Sequence, residues 1–243
     1  MSIHDFDWNG VNSRRKIWNA NDPKPQSETS SAPLTVSRGL ALTALEISVQ
    51  DFILDGLDRS DSQKLSGIVR ETLLRNVKDE VKHEIALTRA KSAMKNYISK
   101  FESEGQSLID SWNALEENPI LKTAVLEVGV FFPLLGVYSM FGGTSLGISA
   151  RSISADEGLH ATSHRVASQL LGARPTKALN RLRLETLDWL GTDVGSESYM
   201  TKDRLIENSN RLIKTGTSDM VETSVYTVLA PYEINNNSMD SYA

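Results

Sequence analysis

The chain has four histidines, His4, His83, His160 and His164, and two of them follow a glutamate by three residues. These are Glu80-x-x-His83 in DEVKH and Glu157-x-x-His160 in DEGLH. In a helix, residues i and i+3 leave the same face about one turn apart. A carboxylate oxygen and an imidazole nitrogen so placed can bind one metal ion, or two neighbouring ions. An aspartate precedes each pair, Asp79 in one and Asp156 in the other. One Glu-x-x-His is weak evidence of a metal, but two with the same flanking residue are much stronger.

Helical bundles that hold two metal ions combine two such helices with a single glutamate from each of two others. Glu127 is the clearer candidate for one of these. From Asn118 to Ala155 the only charged residues are Lys122, Glu127 and Arg151. A carboxylate inside TAVLEVGVFFPLLG needs a compensating cation, since an isolated buried charge is strongly unfavourable. A metal ion supplies that cation; a Lys or Arg partner, or a place at the bundle surface, is the alternative. Glu46 in ALTALEISVQDF is the second candidate, flanked by Leu42, Leu45 and Val49. Asp51 would replace it if the helix phase were one turn off. Glu46 leads Glu80, and Glu127 leads Glu157, by similar distances along the chain, which suits two antiparallel hairpins facing each other.

Composition narrows the metal. The 243 residues include no cysteine, which excludes disulfides, thiolate zinc sites, iron–sulfur clusters and cysteine nucleophiles. Carboxylate and imidazole donors suit iron, manganese or zinc. A net charge of −5 gives no sign of a nucleic-acid or membrane surface. The N-terminal MSIHDFDWNG lacks an apolar core, so the reading expects no signal peptide and a cytoplasmic location. The apolar stretch Thr123–Met140 carries Glu127, Gly129, Pro133 and Gly136, which argues against a membrane span.

The elements that must position these residues are helices. Residues 1–36, with NDPKPQSETSSAP, read as an irregular arm that Trp8 and Trp18 could pin to a core. Residues 37–230 read as the helical domain and 231–243 as a flexible polar tail. The apolar positions 65, 68, 69, 73, 77, 81, 85 and 87 follow a helical period and suggest one long helix capped at Asp61 or Ser62. A bend is expected at Pro133, and two further helices at roughly 176–190 and 201–215. No alternating strand pattern or internal repeat appears. The expectation is an all-α fold, a helical bundle with additional C-terminal helices.

In these residues the chain resembles the ferritin-like superfamily, and within it the small, radical-generating subunit of class I ribonucleotide reductase. The similarity spans roughly Val36 to Gly216. SISADEGLH resembles that subunit's Asp-Glu-x-x-His helix, and EVGVFF its lone-glutamate helix. LIENSNRLIKTG is more weakly similar to a late helix of the family, and DEVKHE is similar to related ligand-binding oxidases.

The resemblance implies metal ligands Glu46, Glu80, His83, Glu127, Glu157 and His160. It makes Asp156 a hydrogen-bond partner of a ligand and puts Phe131 beside the metals. Leu87 stands where the family's radical tyrosine usually lies, so oxidising equivalents would be stored in the metals themselves. The resemblance implies two ions, Fe/Fe or Mn/Fe, with O2 as oxidant. Trp18 could serve as an electron relay or simply anchor the arm. Tyr138 and Tyr232 are further relay candidates, although Tyr138 reads first as an ordinary core tyrosine, and Tyr242 is an alternative to Tyr232. His164 is read as a surface or hydrogen-bonding residue. The implied partners are a second copy of the chain and a large catalytic subunit of the reductase, reached through the tail. A stand-alone di-iron oxygenase or oxidase with a channel beside Leu87, Phe131 and Phe132 is the main alternative. Ferritin-type metal storage is a weaker one, and zinc hydrolysis is remote.

Overall fold

The structure, a computed structural model, describes residues 6–15, 17–20, 34–141, 144–193 and 201–215. Among them there is no strand, and the fold is all-α. The helices are α1 (Trp8–Ser13), α2 (Leu34–Ala41), α3 (Ala44–Asp58), α4 (Gly67–Ala93), α5 (Lys95–Ile98) and α6 (Glu102–Ala114). They continue with α7 (Pro119–Leu126), α8 (Phe132–Ser139), α9 (Ser145–Leu170), α10 (Lys177–Gly191) and α11 (Lys202–Thr215).

Four segments close a ring: α3 packs on α4, α4 on α9, α9 on α7 and α8, and α7 back on α3. Neighbours in the ring run antiparallel. On α4 and α9 the pairs Asn76 with His164, Glu80 with His160 and His83 with Glu157 rise in one number and fall in the other. Glu127 meets His164 while Phe132 lies near Gly158, so α7 and α8 also run against α9. It follows that α4 and α7 are parallel and diagonal. Residues 94–118, with α5 and α6, make the long connection between them.

Polar caps start several helices. Asn118 accepts from the Leu121 N–H with Pro119 at the first turn, Thr144 accepts from Gly147, and Thr176 accepts from Leu179. Each side-chain oxygen satisfies an amide left without an intrahelical acceptor.

The helices that carry the single glutamates are irregular at those glutamates. Before Glu46 the backbone tightens into three-residue turns, with the N–H of Leu45 bonded to Leu42 and that of Glu46 bonded to Thr43. At Glu127 it widens: Glu127–Phe131 is a π turn in which the Phe132 N–H donates to the Glu127 carbonyl. Pro133 explains this. It has no N–H to donate, and its ring would crowd the carbonyl four residues back in a regular helix. The wider turn relieves that crowding and resets the phase of the side chains.

Several expected boundaries change. The arm is not wholly irregular, since α1 forms within it and α2 begins at Leu34. The long helix does not start at Asp61 or Ser62: residues 60–64 form a separate short turn, and α4 begins after Ser66 and ends at Ala93. Val81 and Ile85, two of the periodic apolar positions, are each 41% exposed. At Pro133 the chain widens within a helix that continues beyond it. Pro119–Ser139 is long and apolar enough to cross a membrane, yet its most apolar window is wholly buried inside the protein. It is the core helix of the bundle. The tail 231–243, with Tyr232 and Tyr242, and His4 lie outside the described residues.

Candidate metal centre

Each wall of the ring contributes one glutamate to its interior: Glu46 from α3, Glu80 from α4, Glu127 from the π turn and Glu157 from α9. Glu80, Glu127, Glu157, His83, His160 and His164 are fully buried, and Glu46 is 2% exposed. Asp51, the alternative to Glu46, is exposed. Ligand atoms of Glu80, His83, Glu157 and His160 all lie within 4.8 Å of one another, and this cluster can hold a metal ion.

The geometry has an internal symmetry. His83 turns its Nδ1 inward, 3.2 Å from Glu80 Oε2, 3.1 Å from Glu157 Oε1 and 4.0 Å from Glu46 Oε2. His160 turns its Nδ1 to Glu80 Oε1 at 2.6 Å. The two rings face each other with centroids 5.4 Å apart. Their outer nitrogens reach the aspartates of the opposite helix: His83 Nε2 lies 3.5 Å from Asp156, and His160 Nε2 lies 3.4 Å from Asp79.

Both aspartates are tied to the chain before α2. The Trp18 indole donates to Asp156 Oδ2 at 2.6 Å and stacks on His83, with centroids 6.1 Å apart. Arg15 donates to Asp79, which Lys82 also contacts at 2.7 Å. Burial would raise the Asp79 carboxyl, but the hydrogen bonds from His160 and Lys82 and the charges of His160 and Arg15 hold it well below the usual range.

Four carboxylates in a dry interior repel one another. Burial, then Glu80 and Glu157, push Glu46 well above the ordinary range; burial, then Glu157, Glu80 and Glu46, do the same to Glu127. Glu157 rises through burial and Glu80. Glu80 goes the other way, because His83 and His160 outweigh its burial. His160 is held at about 9: burial lowers it, but Glu80 and Asp79 raise it more. The cluster therefore demands positive charge.

Buried oxygens mark where that charge belongs. Glu46 Oε2, Glu127 Oε1 and both oxygens of Glu157 have no aligned hydrogen-bond donor. A buried acceptor without a donor is costly, and a cation satisfies it. Glu80, His83, Glu157 and His160 fit a metal ion, and the four carboxylates, once deprotonated, would match the charge of two divalent ions.

The remaining expected residues divide. Leu87 and Phe131 are buried in the main apolar core. Tyr138 is buried with its hydroxyl unpartnered, and burial followed by Glu46 pushes its ionisation well up. Its hydroxyl fills the space that a Cβ on Gly39 would need. His164 is not at the surface: its Nδ1 lies 2.7 Å from Glu127 Oε2. A cavity of about 550 Å³ lies along α7, α9 and α11, lined in part by Leu121, Val128, Arg165, Arg174 and Ile213. Leu87, Phe131 and Phe132 are not part of its lining, so the expected channel is not this cavity.

Arg15 and Asn76, and the roles of Asp79 and His164, are not assigned by motif. The duplicated Asp-Glu-x-x-His could have shown Asp79, and the His160–His164 spacing places both rings on one helix face. Arg15 leaves no local signal, because its partners are remote in sequence. No family model matches the chain, and no curated protein or solved structure matches it either.

Proposed function

We propose that this chain is a ferritin-like dimetal-carboxylate protein that activates O2 and exchanges electrons with the outside through Trp18, in the manner of the small subunit of ribonucleotide reductase. The observation that carries the reading is the buried cluster of Glu80, His83, Glu157 and His160, with Glu46 Oε2 4.0 Å from His83 Nδ1 and Glu127 buried on the fourth wall. A bundle with one long crossover is also the connectivity of ferritin-like folds. Bound iron, or manganese with iron, would supply the electrons that reduce O2.

The residues of the chain do the rest. Glu46, Glu80, Glu127 and Glu157 would neutralise the ions, and His83 and His160 would offer them Nδ1. Asp156 and Asp79 hold the two imidazoles in orientation through Nε2, as outer partners of metal-bound histidines do. Trp18, Asp156 and His83 form a continuous hydrogen-bonded path from the arm to the cluster, which supports the reductase-like reading. Leu87 offers no oxidisable group, so oxidising equivalents would be stored in the metals or passed to Tyr138. The large catalytic subunit remains the proposed partner.

A stand-alone oxygenase is the second reading; the 550 Å³ cavity, with apolar walls and the guanidinium-bearing Arg165 and Arg174, would suit a small organic acid, but it is not lined by the residues expected beside the metals.

The test is anaerobic loading with Fe(II), or with Mn(II) and Fe(II), followed by O2, metal counting and electron paramagnetic resonance. Two ions per chain and an oxidised dinuclear signal are expected. Less than about one ion per chain under every condition would sink the assignment. Trp18→Phe should keep the ions but slow re-reduction of the oxidised centre by an external donor. An unchanged rate would remove the relay.

A further inference from the structure

Three histidines line the centre, and the hydrogen bonds on their outer sides sort them into two kinds. This inference rests on the metal-centre reading above. An imidazole nitrogen lone pair and a carboxylate oxygen repel at hydrogen-bond distance, so a proton or a metal ion must lie between them. Which of the two it is follows from the other ring nitrogen.

For His83 and His160 the outer Nε2 faces Asp156 and Asp79. A carboxylate only accepts, so each Nε2 carries a hydrogen. The inner Nδ1 lone pair is then available to a metal ion. For His164 the polarity is reversed. Its Nε2 lies 2.9 Å from Asn76 Nδ2, a donor.

Two neighbours fix that amide's orientation. Arg15, which can only donate, holds Asn76 Oδ1. Ser163 Oγ gives its hydrogen to the His160 carbonyl at 2.9 Å and so accepts from Asn76 Nδ2 at 2.8 Å. His164 Nε2 must therefore accept, and the ring hydrogen sits on Nδ1, aimed at Glu127 Oε2 at 2.7 Å. The other oxygen, Glu127 Oε1, has no partner.

We infer that His164 is not a metal ligand but a positioning residue, an Nδ1–H donor that occupies one oxygen of Glu127 and leaves only Oε1 for a metal. Arg15 and Asn76 set its tautomer, so the chain before α2 helps decide how many imidazoles the centre uses. The ligand set stays at four glutamates and two histidines although a third ring lies at hand.

Zn(II) is a suitable diamagnetic probe. In nitrogen-15-histidine-labelled protein, long-range proton–nitrogen correlation spectra distinguish the tautomers, with His164 assigned through His164→Gln. His164 should show the Nδ1–H tautomer both with and without Zn(II), while His83 and His160 shift when Zn(II) is added. An Nε2–H tautomer for His164, or a coordination shift of its Nδ1, would overturn the proposal. Failure of His83 and His160 to respond would count against the metal centre instead, and the His164 tautomer would still be read separately.

Asn76→Asp supplies the converse test. A carboxylate there accepts from Nε2–H and should turn the His164 lone pair inward, changing the visible spectrum of the Co(II)-loaded protein. An unchanged tautomer in that variant also overturns the proposal. His164→Gln keeps an N–H donor and should retain Zn(II) affinity, whereas His164→Leu should weaken it about 10-fold. Equal affinity in the two variants would show that the hydrogen bond does not position Glu127.

Discussion

His160 takes its outer partner from the opposite half-site: its Nε2 lies 3.4 Å from Oδ2 of Asp79, on α4. The exchange is mutual, since His83 on α4 reaches Asp156 on α9. Antiparallel packing of the two Asp-Glu-x-x-His helices produces this crossing. With Glu80 opposite His160 and His83 opposite Glu157, each aspartate falls beside the ring of the other helix. The two helices thus orient each other's ligands.

Replacing either aspartate should loosen a ligand without removing it. Asp79→Asn and Asp156→Asn should each lower metal affinity about 10–100-fold, measured by competition with a chromogenic chelator. Asp79→Asn should also lower the unfolding midpoint more than Asp156→Asn, because it strips Arg15 and Lys82 of their shared counter-charge. Wild-type affinity in both variants would refute the orienting role.

Glu127 stands alone in an apolar helix, and its removal should be felt as a missing ion. Glu127→Ala is expected to bring the metal content below two per chain by elemental analysis. Two retained ions would take Glu127 out of the ligand set.

Without metal, the centre should make stability fall as pH rises. His160 is held at about 9 in the fold against an ordinary 6.5. Its stabilising contribution is complete below 6.5 and is lost as pH rises through about 9. Burial and the neighbouring glutamates raise Glu46 and Glu127, which act in the same direction from 4.5 upward. Metal ions displace these protons, so loaded protein should lose much less. Thermal unfolding of both forms between pH 6.5 and 9 checks this; equal slopes would contradict it.

Ile47 and Leu54 on α3, with Leu74, Val81 and Ile85 on α4, are between 41% and 45% exposed. The antiparallel contact of α3 and α4 puts these apolar residues on neighbouring helices, where they would form the interface of the homodimer that the resemblance implies. Light scattering should report a dimer, and Leu54→Glu with Ile85→Glu should convert it to a folded monomer. A monomeric wild type would exclude this interface.

Much of the centre is legible in the chain because helical periodicity is a local property. Glu80 with His83, and Glu157 with His160, share a face as soon as their segments become helical. Glu127 stands out because a charge in an apolar run needs a reason. The all-α class follows from the same periodicity. Glu46 and Asp51 are harder to separate by period alone, since the tightened turns before Glu46 alter the helix phase.

The identity of the donors and of the helices that carry them is written in the chain, since covalent spacing and the helical repeat set both. Their partners follow from packing alone. The crossed aspartates, the hold of Arg15 and Trp18 on them, and the Asn76–His164–Glu127 line all join residues far apart in the chain. Hydrogen-bond direction depends on which groups meet in space, so the role of His164 emerged only once the helices were packed.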